Sequence, residues 1–549
     1  MTLHSRDRYS IPEETSRVAH RAFPKGNNYM TMRDQLNLWY LDSKYAHLFE
    51  SKQGRPAESP ALLNLIMVMQ YAEGLSDQQA AEAVRSRIDW KYALGLALDD
   101  PGFDTSILSD HRQRLIAKGA EQQLFDEMLE QFRGHKLLKA HGQQRTDSTH
   151  VLAAIRKVNR LELIGETMRQ ALNQLAEAAP EWLRSRATPD WFDLYGPRFE
   201  QYRLPDKEAE REALAVRIGS DGYHLLAGIY DDEAPAFLRQ LPGVEVLRQV
   251  WIQQFVLEGD KPSWRSVTNQ PTAEDKIVSP YDVEARYSKK RQTEWVGYRV
   301  HLTETCDPDS PHLITHVETT SAPVADGQVL EVIHTDLAEK NLLPATHLVD
   351  NAYVDADAIV ESQTKGVELL GPVRPDQSWQ AKAEQGFDKR TFAIDWNAQT
   401  VTCPGAKTST SWRPVQDRSG HALIEVRFDP HQCCTCSLRS QCTHSEKHGR
   451  CLSLKPQDQH AALEERRRYQ TTEEFKQRYA KRAGIEGTIS HGVRAFDLRS
   501  ARYIGLAKTH LQHILTAAAM NLTSAVAWLR GNTRSTTRRS SFAALALAT

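Results

Sequence analysis

The stretch Tyr479-Ala-Lys-Arg482-Ala-Gly-Ile-Glu486, near the C-terminal end of the chain, decides how the rest of the sequence is interpreted. Its functional side chains follow the spacing Tyr-x2-Arg-x3-Glu. At about 100° per residue, offsets of three and seven return to nearly the same face of a helix. A tyrosine, a cation and a carboxylate on one face suit a phosphate and a metal ion held together. Taken alone, the pattern also fits a solvated helix with a chance i, i+4 pair.

Two aspartates upstream occupy the sequence contexts that such a site requires. Asp147 lies in residues 144–152, a run with Thr, Val and Leu that is typical of a strand. Asp350 ends a short apolar segment, and a helix-like segment from about 355 to 363 follows it. Groups at the carboxyl ends of strands line the site of an open α/β sheet. We therefore expect the two aspartates to lie at one site.

Two aspartates on strands and a glutamate on a helix resemble the DDE triad of insertion-sequence transposases. The Tyr-Arg-Glu spacing resembles the YREK signature of that superfamily, and segments 279–286, 295–301 and 486–505 are also similar to this family. The family often places a lysine seven residues after the glutamate, where this chain has Val493 beside Arg494. The resemblance implies an α/β fold: a ribonuclease-H-like mixed sheet flanked by helices, with an all-helical N-terminal domain and a small Cys-rich insertion domain.

The resemblance also implies a role for each residue of the motif. The catalytic carboxylates would be Asp147, Asp350 and Glu486, which would bind two Mg²⁺ or Mn²⁺ ions with Asp147 bridging both. Contacts to DNA phosphates would come from Tyr479, Arg482 and Arg494. Asp282, Arg286 and Tyr353 are further candidates for contacts around the site or with DNA. The implied partner is double-stranded DNA, as element ends and as target, bound by a homodimer in the active complex.

A cysteine-bearing segment precedes the glutamate. Cys403-Pro-Gly405 is followed by Cys433, Cys436 and Cys442. Cysteines separated by two residues suit tetrahedral zinc, and Pro-Gly after a cysteine suits a tight turn. The predicted ligands of one structural Zn²⁺ are therefore Cys403, Cys433, Cys436 and Cys442. Substitutes are Cys434, His444, His448 and Cys451. A reduced loop without metal is the alternative, and four thiolates would leave no open position for catalysis.

The sequence predicts five segments. They are a helical N-terminal domain over 1–140, the first part of the core over 141–373 with a helical insertion at about 156–270, a Cys-rich insertion over 374–455, the rest of the core with Glu486 over 456–530, and a disordered tail over 531–549. In the first segment, Ser76-x-x-Gln79 predicts a capping box that opens a helix after a tight turn. That arrangement is compatible with a DNA-reading module. A plain helical bundle or dimerisation unit fits the residues equally well. The stretch also resembles the N-terminal domain of the same transposases, which implies that it binds element ends.

Composition narrows the class of protein. A chain of 549 residues with 26% charged residues and a net charge of −2 is not a polycationic coat for nucleic acid, although local basic surfaces remain possible. The N-terminus lacks the apolar segment of a secretory signal, and the apolar runs are too short or too polar to span a membrane. Seven cysteines without such a signal do not indicate a disulfide framework. A cytoplasmic protein without membrane association is expected.

The expected function is that of a transposase of a bacterial insertion sequence. It would bind terminal inverted repeats, cleave DNA by metal-dependent hydrolysis and join the 3′ ends to target DNA. Two alternatives stay open. A catalytically inactive, transposase-derived DNA-binding protein is disfavoured because all three carboxylates are present. A ribonuclease-H-like nuclease without strand transfer is disfavoured by the long N-terminal helical domain, which simple cutting does not require.

Overall fold

The computed structural model describes residues 2–6, 9–49, 54, 56–259, 261–383, 386–417, 420–445, 447–532 and 542. Within them the chain forms N-terminal helices, a central mixed sheet, a helical insertion and several small sheets. None of the helices in these ranges is long and apolar enough to cross a membrane. Most of the predicted disordered tail, namely 533–541 and 543–549, lies outside the described residues.

The N-terminal region is helical, as predicted. Its helices are α1 (Glu13–Ala22), α2 (Asn28–Leu36), α3 (Pro60–Glu73), α4 (Asp77–Ser86), α5 (Ile88–Leu94), α6 (Ser106–Ala117) and α7 (Glu121–Gly134). Helix α3 begins where the Ser59 hydroxyl accepts the Leu62 N–H, and it ends at Gly74 in the left-handed conformation. Helix α4 begins with the predicted capping box, in which Ser76 and Gln79 exchange hydrogen bonds. The turn between α3 and α4 is therefore fixed by local sequence.

The strands fall into one large and several small sheets. They are β1 (Gln143–Leu152), β2 (Phe255–Glu258), β3 (Lys261–Trp264), β4 (Arg286–Lys290), β5 (Thr293–Thr305), β6 (Ile314–Ser321), β7 (Thr346–Leu348), β8 (Glu368–Leu370), β9 (Ala393–Asp395), β10 (Thr400–Thr402), β11 (Ser411–Gln416), β12 (Ala422–Arg427) and β13 (Cys451–Leu454). The large sheet has the order β6-β5-β1-β7-β8, with β4 paired to the first part of β5.

The directions of these strands identify the core. Strand β5 runs antiparallel to both β1 and β6, whereas β7 is parallel to β1 and β8 is parallel to β7. Three antiparallel strands continued by two parallel ones are the mixed sheet expected of a ribonuclease-H-like core. The predicted fold class is therefore confirmed.

The helical insertion lies between β1 and β4. It comprises α8 (Arg160–Ala178), α9 (Pro180–Arg184), α10 (Pro189–Tyr195), α11 (Glu208–Tyr230) and α12 (Pro242–Gln254). Its own hydrophobic cluster includes Ile164, Ile218 and Trp251. A hairpin of β2 and β3 follows α12, so the last residues of the insertion are extended rather than helical.

The remaining helices flank the large sheet or follow it. They are α13 (Leu330–Glu339), α14 (Ala356–Thr364), α15 (Trp379–Lys382), α16 (Pro430–Cys434), α17 (Arg439–Cys442), α18 (Gln457–Tyr469), α19 (Glu473–Tyr479), α20 (Gly484–Ala495) and α21 (Leu506–Leu529). Helix α21 packs on β6 and on α3, and α20 packs on β1. The Cys-rich segment contains the pair β9-β10 and the three-stranded sheet β11-β12-β13.

One hydrophobic cluster joins the N-terminal helices to the large sheet. It runs from Leu65 and Met69 on α3, through Val300 on β5, to Leu515 and Ala518 on α21. All five side chains are at most 1% exposed. The chain thus changes from helices to strands near residue 140, but one hydrophobic cluster includes residues from both sides of this point.

Candidate active site

The sheet brings Asp147 and Asp350 together. Asp147 lies on β1, and Asp350 follows the end of β7, which is the parallel neighbour of β1. Their register pairs Arg145 with Leu348, and continuing it by two residues sets Asp147 beside Asp350. Burial raises the pKa of Asp147 above its ordinary value, and the negative charge of Asp350 raises it further. The two carboxylates therefore share one electrostatic environment.

The third predicted carboxylate reaches this environment through Arg482. The Arg482 guanidinium donates to Asp147 Oδ2 at 2.7 Å and to Glu486 Oε1 at 2.9 Å. Side-chain exposure is 14% for both Asp147 and Arg482 but 64% for Glu486. Burial alone would lower the pKa of Arg482, but Asp147 together with Tyr479, Glu486 and Asp350 outweighs burial and holds that pKa above its ordinary value. Arg482 is thus the cation that neutralises two members of the predicted triad.

The sequence predicted that Tyr479, Arg482 and Glu486 lie on one continuous α-helix, and this prediction is wrong. Helix α19 ends at Tyr479, a tighter 3₁₀ turn covers Ala480–Ala483, and α20 begins at Gly484. The tighter winding changes the angular relation between the side chains before and after it. It still leaves Arg482 and Glu486 in contact, since these are four residues apart.

Tyr479 lies at the rim of the same site. Its ring stacks on Phe475 with centroids 5.3 Å apart. Burial raises the pKa of Tyr479 to about 12, with Arg482 opposing the shift and Asp350 adding to it. The phenol is therefore neutral at ordinary pH and can donate a hydrogen bond.

Arg494 lies apart from this group. It is exposed near the end of α20, and no hydrogen bond or ion pair joins it to the three carboxylates in the described part of the chain. Asp282 also serves a different place. It accepts hydrogen bonds from the Tyr298 hydroxyl and the Gly505 N–H, and so anchors the start of α21. Arg286 donates to the backbone carbonyl of Glu274, at the edge of the sheet.

A second layer of polar residues lies beneath Asp147, and of its members only Tyr353 was named as a candidate from the sequence. Asp326, which is 5% exposed, accepts hydrogen bonds from Ser148 Oγ at 2.9 Å and from Arg299 at 2.7 Å. Tyr353 is buried close by, and its hydroxyl is 2.7 Å from His301 Nδ1. Asp326 begins a short 3₁₀ helix (Asp326–Val329) that leads into α13, and nothing in the local sequence distinguishes it from an ordinary acidic residue at the start of a helix. Arg299 lies within the family-like segment 295–301, which was the available signal.

Asp147, Asp350 and Glu486 together form the carboxylate site, whose side chains could offer oxygen ligands to a divalent metal ion. Carboxylate oxygens are the donors that Mg²⁺ and Mn²⁺ prefer. In the described residues, no group of three or more His, Cys, Asp and Glu side chains is arranged so that it could hold a metal ion. Arg482 stands between Asp147 and Glu486 and supplies the positive charge instead. The donor chemistry fits a divalent ion whose binding replaces contacts of this guanidinium.

The cysteine site, defined as Cys403, Cys433, Cys436 and Cys442, forms within the small sheets. The Sγ atoms of Cys403 and Cys436 both lie 3.7 Å from the point where a Cβ on Gly405 would stand. The Lys407 N–H donates to Cys403 Sγ at 3.4 Å. Burial raises the pKa of Cys442, and the other three thiols add to that shift. All seven cysteines are free thiols. Thiolates are donors that tetrahedral zinc prefers, although within the described residues the four cysteines are not arranged as a metal site.

Three of the four substitutes proposed for the cysteine site have other surroundings. Cys434 and Cys451 are exposed. The Cys451 thiol faces Glu425, with 3.9 Å between sulfur and oxygen. His444 stacks on the ring of Trp379 with centroids 3.8 Å apart. The fourth substitute, His448, donates its backbone N–H to Ser445 Oγ at 3.0 Å.

Comparison with protein families gives two matches. Residues 17–114 match the family described as Transposase domain (DUF772), and residues 402–525 match the family described as Transposase DDE domain. The second match contains the cysteine site, Arg482 and Glu486, whereas Asp147 and Asp350 lie outside both. Neither a curated protein nor a solved structure matches the chain significantly. The two family matches, one towards each end of the chain, support an insertion-sequence DDE transposase.

Proposed function

We propose that this protein cleaves DNA at the ends of a bacterial insertion sequence and joins the freed 3′ ends to target DNA. The observation that carries the proposal is the convergence of Asp147 and Asp350 by strand register, with Arg482 linking Asp147 to Glu486. The matches to two transposase families support DNA as the substrate. A DNA substrate in a bacterium places the reaction in the cytoplasm.

The chemistry consists of two substitutions at phosphorus. In the first, the oxygen of a water forms a bond to phosphorus and the bond to the 3′ oxygen breaks; that oxygen takes up a proton and becomes a 3′-hydroxyl. In the second, this 3′-hydroxyl attacks a phosphodiester of the target, so one phosphodiester forms as another breaks. Asp147, Asp350 and Glu486 would hold two divalent ions, which when bound stabilise the attacking and leaving oxygens.

The chain's own residues orient the DNA and balance its charge. Arg482 is placed to exchange its carboxylate partners for a phosphate oxygen next to the scissile bond, since guanidinium binds both groups in the same geometry. Tyr479 donates a hydrogen bond or stacks beside that phosphate. Lys290, whose charge acts on Asp147, and Arg499, which donates to Thr149 Oγ1 at 2.8 Å, add positive charge around β1. Such groups attract the DNA backbone without reading its sequence. Arg494 would contact DNA further along α20.

We further propose that the N-terminal helices recognise the element ends and that the cysteine site holds one structural Zn²⁺. The exposed face of α4, which includes Gln78, Gln79 and Arg85, follows a fixed turn and suits contact with a DNA groove. Two copies of the chain would form the active complex, as a homodimer. These proposals rest on the segment resemblance and on the cysteine geometry described above.

A plasmid assay tests the proposed function. The substrate is a supercoiled plasmid that carries the gene's native flanking DNA on both sides of a marker, mixed with purified full-length protein, Mg²⁺ and a target plasmid. Cut ends together with joined strands support the proposal. Cuts without joining would favour the simple nuclease. Binding without cuts would favour the inactive DNA-binding protein.

A further inference from the structure

We infer that Arg145 is a positioning residue, which sets the distance between the strand that carries Asp147 and the helix that carries Glu486. The inference rests on the proposed function and deepens it. Arg145 lies two residues before Asp147 on β1, so the two side chains leave the same face of the strand. It is 5% exposed and therefore buried behind the carboxylate site rather than within it.

The Arg145 guanidinium joins three elements at once. Its Nε donates to Glu304 Oε1 at 2.6 Å, across the β1–β5 pairing that sets the two residues opposite each other. Its Nη1 donates to the backbone carbonyl of Lys481 at 2.5 Å, in the turn before α20. Its Nη2 lies 3.1 Å from His312 Nδ1. A planar, always-charged fork with five donors is suited to holding several elements in one geometry.

The same ion pair reaches the far side of Glu486. The Thr488 hydroxyl donates to Glu304 Oε2 at 2.7 Å. Lys481 and Thr488 therefore bracket Arg482 and Glu486 in the sequence, and both are tied to one pair, Arg145–Glu304. The side chains of that pair are 6% and 1% exposed, so water does not compete strongly for their hydrogen bonds. The segment with two of the motif residues is thus fastened at each end to the sheet.

Gly484 shows how closely the helix approaches Arg145. A Cβ on Gly484 would fall within the guanidinium of Arg145, so any side chain there must push α20 away or displace the arginine. Gly487, less than one turn further along the same helix, has nothing within 4 Å of its Cβ position. The two glycines therefore form a matched pair: the same change on the same helix, with and without contact to Arg145.

The test compares Gly484→Ala with Gly487→Ala in the full-length protein. Gly484→Ala is expected to lower the rate of plasmid cleavage by about 100-fold, because a shift of about 1 Å in a catalytic group has that effect. It should also weaken the binding of Ca²⁺, measured by calorimetry without DNA, by about tenfold. Gly487→Ala should stay within about twofold of the wild type in both measurements, since it removes only helical flexibility.

A double variant separates positioning from general damage. Arg145→Lys keeps a positive charge near Glu304 but leaves the space next to Gly484 empty. Because the contacts to Lys481 and His312 are lost, this variant is expected to cleave the plasmid about tenfold more slowly than the wild type. If the two residues act on one distance, Arg145→Lys with Gly484→Ala should cleave no more slowly than Arg145→Lys alone. Thermal unfolding of each variant is recorded, because a merely structural role would lower the melting temperature and not produce this recovery.

Each outcome decides the matter. The inference is overturned if Gly484→Ala behaves like Gly487→Ala, or if the double variant shows the product of the two single losses. If the wild type binds Ca²⁺ and the variants follow the expected order while no protein cuts the plasmid, the proposed function fails and the positioning role stands. If the wild type neither cuts the plasmid nor binds Ca²⁺, both the proposed function and the inference are wrong. If it cuts the plasmid without binding Ca²⁺, the order of the cleavage rates alone decides the inference.

Discussion

The carboxylate site and the cysteine site are assembled in opposite ways. Asp147, Asp350 and Glu486 come from a strand, from the residue after another strand and from a helix, and strand register brings the first two together. The cysteine site draws all of its residues from positions 403 to 442, around one Pro-Gly turn. The first depends on the whole sheet, and the second depends on a few local turns.

Charge separates the two sites as well. Carboxylates are ionised at neutral pH, so the chain must supply a cation for them, and Arg482 fills that need. Reduced thiols with raised pKa values stay neutral, as burial ensures for Cys442, and can lie close together without a counterion. In the carboxylate site, Arg482 therefore supplies the positive charge that a bound divalent ion would supply. The cysteine site needs no such cation while its thiols are neutral.

The largest expected effect concerns the three acids. Asp147→Asn, Asp350→Asn and Glu486→Gln should each reduce plasmid cleavage by more than about 1,000-fold, as loss of transition-state charge stabilisation does. DNA binding, measured by fluorescence anisotropy, should persist because these residues do not form the fold's core. Glu473→Gln, an exposed partner of Lys476, is the control. If Glu486→Gln retained cleavage, the third carboxylate would be assigned wrongly, and Glu474 on α19 would be tested next.

The cysteine site should respond to one change with loss of its metal. Purified protein, freed of loosely bound ions, should contain about one zinc per chain, and Cys436→Ser should reduce this to less than about a tenth, because metal binding and local folding are coupled. Cys434→Ser, at an exposed neighbouring thiol, should keep the zinc. Elemental analysis measures both. A wild type without zinc would show that the cysteine site is a reduced loop.

Arg482 sharpens the contrast between the two sites. Replacing it with alanine removes the cation that competes for Asp147 and Glu486, so Ca²⁺ should bind more tightly in the absence of DNA, by about tenfold for one lost charge-assisted contact. Cleavage should nevertheless fall, because the phosphate contact proposed for Arg482 is lost. Calorimetry and the plasmid assay report the two effects separately. Weaker Ca²⁺ binding in Arg482→Ala would show that Arg482 positions the carboxylates rather than competing for them.

A buried acid outside both sites gives the smallest effect. Burial raises the pKa of Glu318 to about 7, and Asp336 adds to the shift. The fold therefore binds this proton more tightly than the unfolded chain does, and its stabilising contribution is present below about pH 4.5 and lost as the pH rises through 7. Glu318→Gln should remove this fall in the free energy of unfolding, which is about 1–3 kcal/mol. Urea unfolding at pH 5 and pH 7 measures it. If the free energy of unfolding changed equally between pH 5 and pH 7 in the wild type and in Glu318→Gln, the raised pKa of Glu318 would be refuted.

The sequence was most informative for the two aspartates, whose contexts led to the expectation that they lie at one site. Asp147 lies in the middle of β1 and only Asp350 follows the end of a strand, so parallel register sets them side by side rather than a shared strand end. The spacing of Arg482 and Glu486 predicted their contact. The bond from Arg482 to Asp147 could not be predicted, because it joins residues that are distant in the chain and depends on the 3₁₀ turn before α20.

Buried polar contacts were the part that sequence did not reveal. Arg145 is one of many arginines, and only the fold places Glu304 opposite it and Gly484 against it. Asp326 begins a short 3₁₀ helix, where an acidic residue is common and does not by itself indicate a site. The apolar character of α3 predicted that it would be buried, but a helix that is apolar on all sides does not indicate which partners cover it.

The packing of α3 on α21 has a consequence for how this protein can change over generations. Recombination that replaced the N-terminal half of the chain would bring together two hydrophobic surfaces, on α3 and on α21, that are not complementary in shape. The part proposed to recognise ends and the part proposed to cut would then fail together, before either specificity or chemistry was tried. The segments before and after residue 140 are therefore expected to be inherited together, and recombination between related genes is expected to exchange the whole coding sequence rather than one half of it.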